Sequence, residues 1–406
     1  MADIYLNQPF PGGNPSPSFF NGRLLSAEDL LAEQGYQRQS RRLLGQAIGD
    51  GVVQGLVVSE LDRTNAKLRV DPGMAITRKG DTLWLPDRVD LALVRPPDAS
   101  LAAPALFSAC RPPQAGVYVT AGEGAYLLAV APASFNNGKA PASGLSNAEA
   151  SCTTRSTVDT VQFRLIPLSS ANLADAAKAR NRIAYQCFGA PLFARDPFGQ
   201  ATETNLLEAL RPALLTDCDV PLAVVSWGDS GLRFVDNWSV RRRPTPPSTG
   251  RLGGYLGSNR RRQAEAMMLQ FDEQIRQMST AEMASMKAVD RFEMLPPAGL
   301  VPVSGATSGA GFKTTEFFGS LALAEIATLD ASSLGAILRD ALDFEPVPLN
   351  GSRHVRLYTL LENSQGIANA TVSQAALVFT SAAMPYRGVA RFGSAQWNIN
   401  RFAGEI

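Results

Sequence analysis

Proline and glycine divide this 406-residue chain into short elements. The sequence contains 27 prolines and 34 glycines, and adjacent prolines occur at positions 96–97, 112–113, 246–247 and 296–297. Proline interrupts helices and central strands because it lacks a backbone N–H and disfavours helical conformation in the residue before it. This pattern favours several modules of short elements joined by turns.

At about 100–200 residues per domain, the length predicts roughly two to four compact units. We expect an α+β fold in which β-rich units surround a helical hairpin or bundle. The predicted units are an extended docking arm (1–19), a helix with a small β-module (20–95), a central β-rich module (96–240), an arginine- and proline-rich connector (241–262), a helical segment (263–295) and a C-terminal β-rich module (296–406).

A capping-box pattern predicts the first helix. Ser26 precedes Asp29 by three residues, which allows each to bond the backbone N–H of the other, and the spacing predicts a helix over about 26–47. Gly49 and Gly51 end it, and a Val/Leu run at 52–58 predicts the first strand. Five large apolar residues are predicted to recur on one helical side: Leu30, Leu31, Leu43, Leu44 and Ile48.

A second helical region carries apolar residues at heptad spacing: Ala264, Met268, Phe271, Ile275 and Met278. Such a stripe is equally compatible with a seam between copies of the chain and with the buried face of a helix within one copy. Ser279 and Glu282 form a second capping-box pattern, which predicts that the helix restarts or bends there.

Runs of β-branched and apolar residues between turn signals predict the strands. The candidates are 68–70, 74–77, 82–85, 125–130, 161–168, 220–227, 232–235, His354–Leu361 and 375–380, with helical patches near 171–184 and 203–215.

Charge and hydropathy argue against two classes of partner. Lys and Arg number 38 against 37 Asp and Glu, so bulk charge does not favour nucleic acid. No apolar run reaches the ~18 residues of a membrane span, and the N-terminus lacks the layout of a signal peptide. We therefore expect that the protein binds no nucleic acid and does not insert into a membrane. We also expect the newly synthesised protein to be located in the cytoplasm. The seven arginines between 241 and 262 predict an exposed, solvated or partner-facing connector.

The four cysteines are widely spaced and form no CxxC pair, so they do not predict a zinc site. We expect buried free thiols at Cys110, Cys152, Cys187 and Cys218; one or two disulfides in a particle released from the cell are the alternative.

The sequence offers no catalytic set. His354 is the only histidine, so neither an HExxH zinc site nor a triad in the usual chain order can be assembled. Ser230, in Gly228-Asp229-Ser230-Gly231, is interpreted as part of a β-turn, and the 305–314 run places Lys313 out of register for a phosphate loop. We expect no catalytic, cofactor-binding or metal-binding residues and no enzymatic activity.

Four segments resemble proteins of phage contractile tails and related contractile injection systems. They are the helical run from Phe20 to Leu43, the strand-and-turn run 51–76, the segment Phe234-Val235-Asp236-Asn237-Trp238-Ser239-Val240-Arg241-Arg242, and 295–303. Their motifs are turn glycines and apolar framework residues, and they carry no catalytic set. The region 96–160 matches nothing in that family, and no fibre-shaft repeat is present.

The resemblance implies a structural protein of the virion tail baseplate, assembled in the host cytoplasm. It implies an oligomeric adaptor, with a trimer favoured, that anchors fibres or neighbouring baseplate proteins. The alternative is a host-surface spike that binds or depolymerises polysaccharide, for which Trp397 and Phe402 offer a modest supply of stacking aromatics. A cytoplasmic enzyme unrelated to phage is the third hypothesis, and no motif supports it.

The proline-rich arm generates a prediction. Deleting residues 1–19 is expected to leave the fold intact while weakening incorporation into particles, because such an arm becomes ordered on docking. Circular dichroism checks the fold, and quantitative blotting of purified particles checks incorporation. Normal incorporation of the truncated chain would contradict a docking role for the arm.

Overall fold

The computed structural model describes residues 13–93, 124–141, 152–168, 176–188, 206–228, 231–245, 258–302, 313–330, 333–350, 354–361 and 374–381. The fold is α+β, with several small sheets and short helices, as expected. Some predictions lie outside these residues: the arm before Gly13, most of the 305–314 run, Trp397 and Phe402.

The first module is a helix followed by six short strands. The helix α1 spans Ala27–Ile48, and the strands are β1 (Gly51–Gly55), β2 (Val58–Asp62), β3 (Lys67–Val70), β4 (Gly73–Ile76), β5 (Thr82–Leu85) and β6 (Val89–Ala92). They form two antiparallel three-stranded sheets, ordered β1-β4-β5 and β2-β3-β6. The predicted first helix and the strands predicted at 68–70, 74–77 and 82–85 are confirmed. The run 52–58, predicted as one strand, is instead divided between β1 and β2, because the chain turns at Leu56, which has a positive φ of 52°.

The central unit is an antiparallel sheet with the strand order β10-β9-β7-β8. Its strands are β7 (Gly124–Pro141), β8 (Cys152–Pro167), β9 (Val220–Gly228) and β10 (Gly231–Asp236), and two helices follow β8: α2 (Ala176–Phe188) and α3 (Leu206–Ala209). Gly228 is the register partner of Gly231 across the β9–β10 hairpin. Asp229 and Ser230 lie outside the described residues.

Both faces of the central sheet are buried. Because successive side chains of a strand point to opposite faces, Leu128 and Val130 of β7 join the core of the first module, whereas Leu127 and Ala129 face α2 and α3. Tyr126 stacks on Trp227 in the first of these cores, with ring centroids 4.1 Å apart. The first module and the central sheet therefore share one apolar core.

The remaining described residues form a helical and β unit around an aromatic core. Its helices are α4 (Ser258–Arg276), α5 (Thr280–Ser285), α6 (Ala288–Arg291), α7 (Thr314–Phe318) and α8 (Leu334–Ala341); its strands are β11 (Met294–Leu295), β12 (Ala298–Pro302), β13 (Ala322–Asp330), β14 (Val347–Pro348), β15 (His354–Leu361) and β16 (Gln374–Thr380). Strands β12, β16, β15 and β13 form one sheet in which β13 and β15 are parallel.

The heptad stripe on α4 is part of this core. Phe271 and Ile275 are buried, and Phe271 contacts the rings of Phe292 and Phe379. Met278 packs against the same core after α4 has ended, and the second capping box starts α5 as predicted. The stripe therefore lies within one copy of the chain and is not a seam between copies.

At the described ends of the predicted arginine connector, Arg243 and Arg261 are exposed as expected, whereas the expectation is wrong for Arg241. Arg241 is half-buried and donates hydrogen bonds to the carbonyl oxygens of Gly55 and Leu56. Arg260, Arg261 and Arg262 lie inside α4, where Arg261 pairs with Asp343 at 2.6 Å. A run of arginine with Pro, Gly and Ser resembles a linker in sequence, but buried backbone carbonyls recruit the guanidinium donors at Arg241.

Two cysteines have different states. Cys187 of α2 is a free thiol in the core between α2 and the central sheet, and burial raises its pKa to about 12. Cys218 is in a disulfide bond. The free-thiol expectation therefore holds at Cys187 and is wrong at Cys218, because spacing in sequence does not reveal which cysteines meet in space.

A buried network around Asp236 joins the central sheet to two helices, α2 and α4. Asp236, at the end of β10, accepts a hydrogen bond from Arg180 Nε of α2 at 2.7 Å and another from Gln270 Nε2 of α4 at 2.6 Å. Its second oxygen accepts from the backbone and hydroxyl of Ser239, both at 2.9 Å. Every lone-pair direction of this fully buried carboxylate is thus used.

The charge of Asp236 depends on these contacts. Burial alone would raise its pKa, but Arg180 and the hydrogen bonds hold the pKa below the ordinary value of 3.8. Because the folded-state pKa is depressed, the pair stabilises the fold fully at pH values above 3.8 and the stabilisation is lost as the pH falls through the folded-state pKa.

We expect Asp236→Asn to destabilise the fold by about 3 kcal/mol at pH 7, because the buried Arg180 guanidinium loses its buried counter-charge and keeps only the partly exposed Glu273 at 3.1 Å. Urea unfolding followed by tryptophan fluorescence measures the change. Asp90→Asn is the control, since it removes the carboxylate partner of Arg69 in a pair at the protein surface, and no measurable change is expected. Equal effects of the two substitutions would contradict the structural importance assigned to the buried pair.

Candidate assembly surface

The helix α1 begins at a complete capping box. The hydroxyl of Ser26 accepts from the backbone N–H of Asp29 at 3.2 Å, and the Asp29 carboxylate accepts from the backbone N–H of Ser26 at 3.1 Å. Arg23 pairs with the same carboxylate. These bonds satisfy N–H groups that the first turn of a helix leaves without partners, so the helix has a defined start at the sequence signal.

The segment that precedes the helix folds back along it. Asn14 Nδ2 donates to the carbonyl oxygen of Tyr36 and to the hydroxyl of Ser40, both at 3.2 Å. Asp29, Glu33, Tyr36 and Ser40 are accordingly only half-exposed and follow one another at helical spacing. This side of α1 is covered by the chain itself.

The last turns of α1 rest on the β4–β5 turn through a close glycine contact. A Cβ atom on Gly45 would lie 2.2 Å from the carbonyl oxygen of Gly80, and Gly80 has a positive φ of +83°. Arg42 Nε pairs with Asp81 at 2.6 Å, and Gln46 Nε2 donates to the carbonyl oxygen of Lys79 at 3.3 Å. Glycine at both positions allows the helix backbone to approach the turn this closely.

The chain leaves α1 through a second tight contact. Gly49 has a φ of +98°, and a Cβ atom there would lie 1.8 Å from the carbonyl oxygen of Thr245. Beyond it, the backbone N–H of Val52 donates to the carbonyl oxygen of Arg242 at 2.8 Å. The C-terminal end of α1 is therefore fixed to the body of the protein.

The rest of α1 exposes large apolar side chains to solvent. Within the helix only Gly45 is buried. At 22 residues the helix is about 33 Å long. Nine large apolar side chains on α1 and on the segment before it are at least 50% exposed: Phe19, Phe20, Leu24, Leu25, Leu30, Leu31, Leu43, Leu44 and Ile48.

This apolar surface is the candidate functional site, and we name these nine residues the α1 surface. Single exposed leucines are normal on proteins, whereas a concentration of large exposed apolar side chains on one helix and the segment before it is typical of an interaction surface. Helices in proteins are stabilised mainly by packing of an apolar face. On α1 the large apolar side chains are in contact with solvent, so a partner that covers them would gain the free energy of burying them.

The sequence prediction for α1 needs one correction. Leu30, Leu44 and Ile48 do share a side of the helix, but at about 100° per residue Leu43 lies roughly 140° away from Leu30. The leucines therefore extend around much of the helix. Trp84 of β5, 67% exposed beside Met74 of β4, is another exposed apolar side chain that the sequence reasoning did not single out. The alternation along β5 could have indicated this exposure, because Trp84 lies between Leu83 and Leu85, which both point inward.

Of the residues considered for chemistry, Ser230 lies outside the described part of the chain. His354 is exposed at the start of β15. Within the described ranges, no three His, Cys, Asp or Glu side chains lie together as metal ligands would. None of the helices in the described part of the chain is long and apolar enough to cross a membrane.

The close glycine contact predicts opposite effects at two positions of α1. Gly45→Ala should destabilise the fold by about 1–3 kcal/mol, because the added Cβ would force the helix away from Gly80. Gly35→Ala is the matched control: a Cβ there meets no atom within 4 Å, so higher helix propensity should stabilise the protein by up to about 1 kcal/mol. Chemical denaturation measures both, and destabilisation at Gly35 equal to that at Gly45 would contradict the anchoring contact.

Similarity to known proteins is slight. No model of a protein family matches the chain, and no curated protein matches it in sequence. Among solved structures, TssK is similar over 67% of this chain at 12% sequence identity, with a TM-score of 0.25. The chain corresponds to about half of the length of TssK, 53%. A TM-score of this size does not establish a common fold.

Proposed function

We propose that this protein is a structural component of a contractile phage tail or a related injection-system baseplate. In this role it acts as an oligomeric adaptor that anchors fibres or neighbouring baseplate proteins, and it is not an enzyme. The particle would be its location, and the host cytoplasm the place of assembly. The observation that carries the proposal is the α1 surface, a firmly anchored helix whose apolar side chains are in contact with solvent.

The anchoring of α1 supports an assembly role. A helix that merely frays into solvent would have few contacts with the rest of the chain. Here the Gly45–Gly80 approach and the Arg42–Asp81 pair fix the C-terminal end of α1 to the β4–β5 turn, and the capping box defines its start. A rigid element that presents apolar side chains is suited to binding a partner, because little conformational freedom remains to be lost on association.

The segments that resemble contractile-tail proteins also have structural roles that fit a scaffold. In the 234–242 segment, Asp236 forms the buried pair with Arg180, and Asn237 exchanges two hydrogen bonds with the backbone of Val58 at 2.9 and 2.8 Å. Arg241 binds the carbonyl oxygens of Gly55 and Leu56. These residues hold the first module, the central sheet and α2 together. A rigid connection between modules is what a structural adaptor requires.

The α1 surface generates the test of the proposed function. The double substitution Leu30→Ser with Leu44→Ser should leave the stability of the isolated chain nearly unchanged, because both side chains already contact water. The dissociation constant for association of the chain with its own copies or with baseplate proteins should rise on the order of a hundredfold. The reason is that the two leucine side chains, which a partner would bury, are lost. Mass photometry measures the oligomer, with the trimer as the expected state, and electron microscopy of particles measures incorporation.

Val289→Ser is the control for this test, because Val289 is 43% exposed on α6 and lies away from the α1 surface. It should leave both association and incorporation unchanged. If the unmodified chain remains a monomer and is absent from purified particles, the proposed function is wrong. Location of the chain by cryo-electron microscopy of an intact particle would identify its neighbours.

A further inference from the structure

The hairpin formed by β7 and β8 extends beyond the sheet to which it belongs. Strand β9 pairs with β7 from Gly124 to Val130, whereas the pairing of β7 with β8 continues to Pro141 and Cys152. Residues 131–141 and 152–162 therefore form a two-stranded ribbon, which we name the β7–β8 ribbon. At about 3.4 Å per residue the ribbon is roughly 35 Å long.

A two-stranded ribbon is only marginally stable in water, and three or more strands are usually needed. In the described sheet β8 is the edge strand, so one side of it offers backbone N–H and C=O groups to another strand. From Cys152 to Ile166 the strand contains no proline, so each of these residues retains its N–H. Strand β7 has Pro132 and Pro141 in its ribbon part and is the poorer edge.

The exposed charges on β8 are arranged symmetrically about Thr157. Arg155, Thr157 and Asp159 alternate with their neighbours and therefore point to one face of the ribbon, where all three are exposed. In an antiparallel pair centred on Thr157, Arg155 of one strand lies opposite Asp159 of the other, and this happens twice. In a parallel pair in register, like charges would lie side by side, which is unfavourable.

We propose that the exposed edge of β8 pairs antiparallel with β8 of a second copy of this chain, in the register that places Thr157 of one copy opposite Thr157 of the other. The two ribbons then form one four-stranded sheet, in which the hydrogen-bonding groups of both β8 edges are satisfied. The contact is two-fold symmetric and closes with two copies. A trimer of this chain would have to use another surface, such as the α1 surface.

This inference rests on the proposed assembly role, because it names one partner of an assembling protein. The occupant is a second copy, since the charge pattern is self-complementary about a single residue. Strand addition by a different protein would satisfy the backbone equally well, but it would not require Arg155 and Asp159 to be equidistant from Thr157.

A cysteine substitution tests the register. In full-length Thr157→Cys under mild oxidation, the two introduced thiols lie directly opposite each other at about 4.5–5.5 Å between Cα atoms, within reach of a disulfide. A covalent dimer is expected on non-reducing gels and by intact mass. Ser156→Cys is the matched control: it is the next residue along the same exposed strand, but its two copies would lie diagonally at about 7–8 Å, beyond efficient cross-linking. The unmodified chain, oxidised in parallel, corrects for its own cysteines.

A charge exchange tests the same contact without cross-linking. Arg155→Glu alone and Asp159→Arg alone each place like charges opposite one another at two points, so the dissociation constant of the two-copy complex should rise about tenfold. The double variant Arg155→Glu with Asp159→Arg restores opposite charges at both points, so its dissociation constant should return to that of the unmodified chain. Analytical ultracentrifugation measures these constants, and thermal melting confirms that each variant folds.

The outcomes separate this inference from the proposed function. If the chain forms oligomers and enters particles, but Thr157→Cys cross-links no better than Ser156→Cys and the double variant does not recover association, edge pairing of β8 is wrong and the assembly role stands. If the chain is monomeric and absent from particles, both are wrong. Preferential cross-linking at Thr157 together with recovery by the double variant supports the two-fold sheet.

Discussion

The buried carboxylate of Asp236 is the interaction on which the described architecture depends. It lies at the end of β10 and binds α2 through Arg180 and α4 through Gln270, so a single side chain joins the central sheet to two helices. Its neighbour Asn237 bonds the backbone of Val58 in the first module. A buried charge is costly unless it is paired and fully hydrogen-bonded, so these elements can pack only in an arrangement that satisfies it.

The interior and the surface of this protein follow different rules. The central sheet is covered on one face by the first module and on the other by α2 and α3, and the heptad stripe of α4 is buried among aromatic rings. By contrast, α1 presents leucines to solvent, and the β7–β8 ribbon continues past the sheet. Both exposed features are firmly connected to the body at one end, which suits elements that bind neighbours.

Local signals predicted the local structure well. The two capping boxes at Ser26 and Ser279 place helix starts correctly, because a cap depends on residues three positions apart. Strands such as β9 and β15 follow from runs of β-branched and apolar residues. The α1 surface was identified as an apolar helix in the sequence, but its exposure was not, since a leucine stripe has the same spacing whether it faces a core or a partner.

The sequence by itself therefore determined where helices begin, where glycine and proline end them, and which segments form strands, because these properties depend on a few neighbouring residues. Only the tertiary structure decided that the Phe271 stripe faces inward while Leu30 and Leu44 face outward, that Arg241 binds backbone carbonyls, and that Cys218 is bonded while Cys187 is free. The physical reason is that burial, ion pairing and disulfide formation depend on which distant segments meet, and spacing along the chain carries no such information.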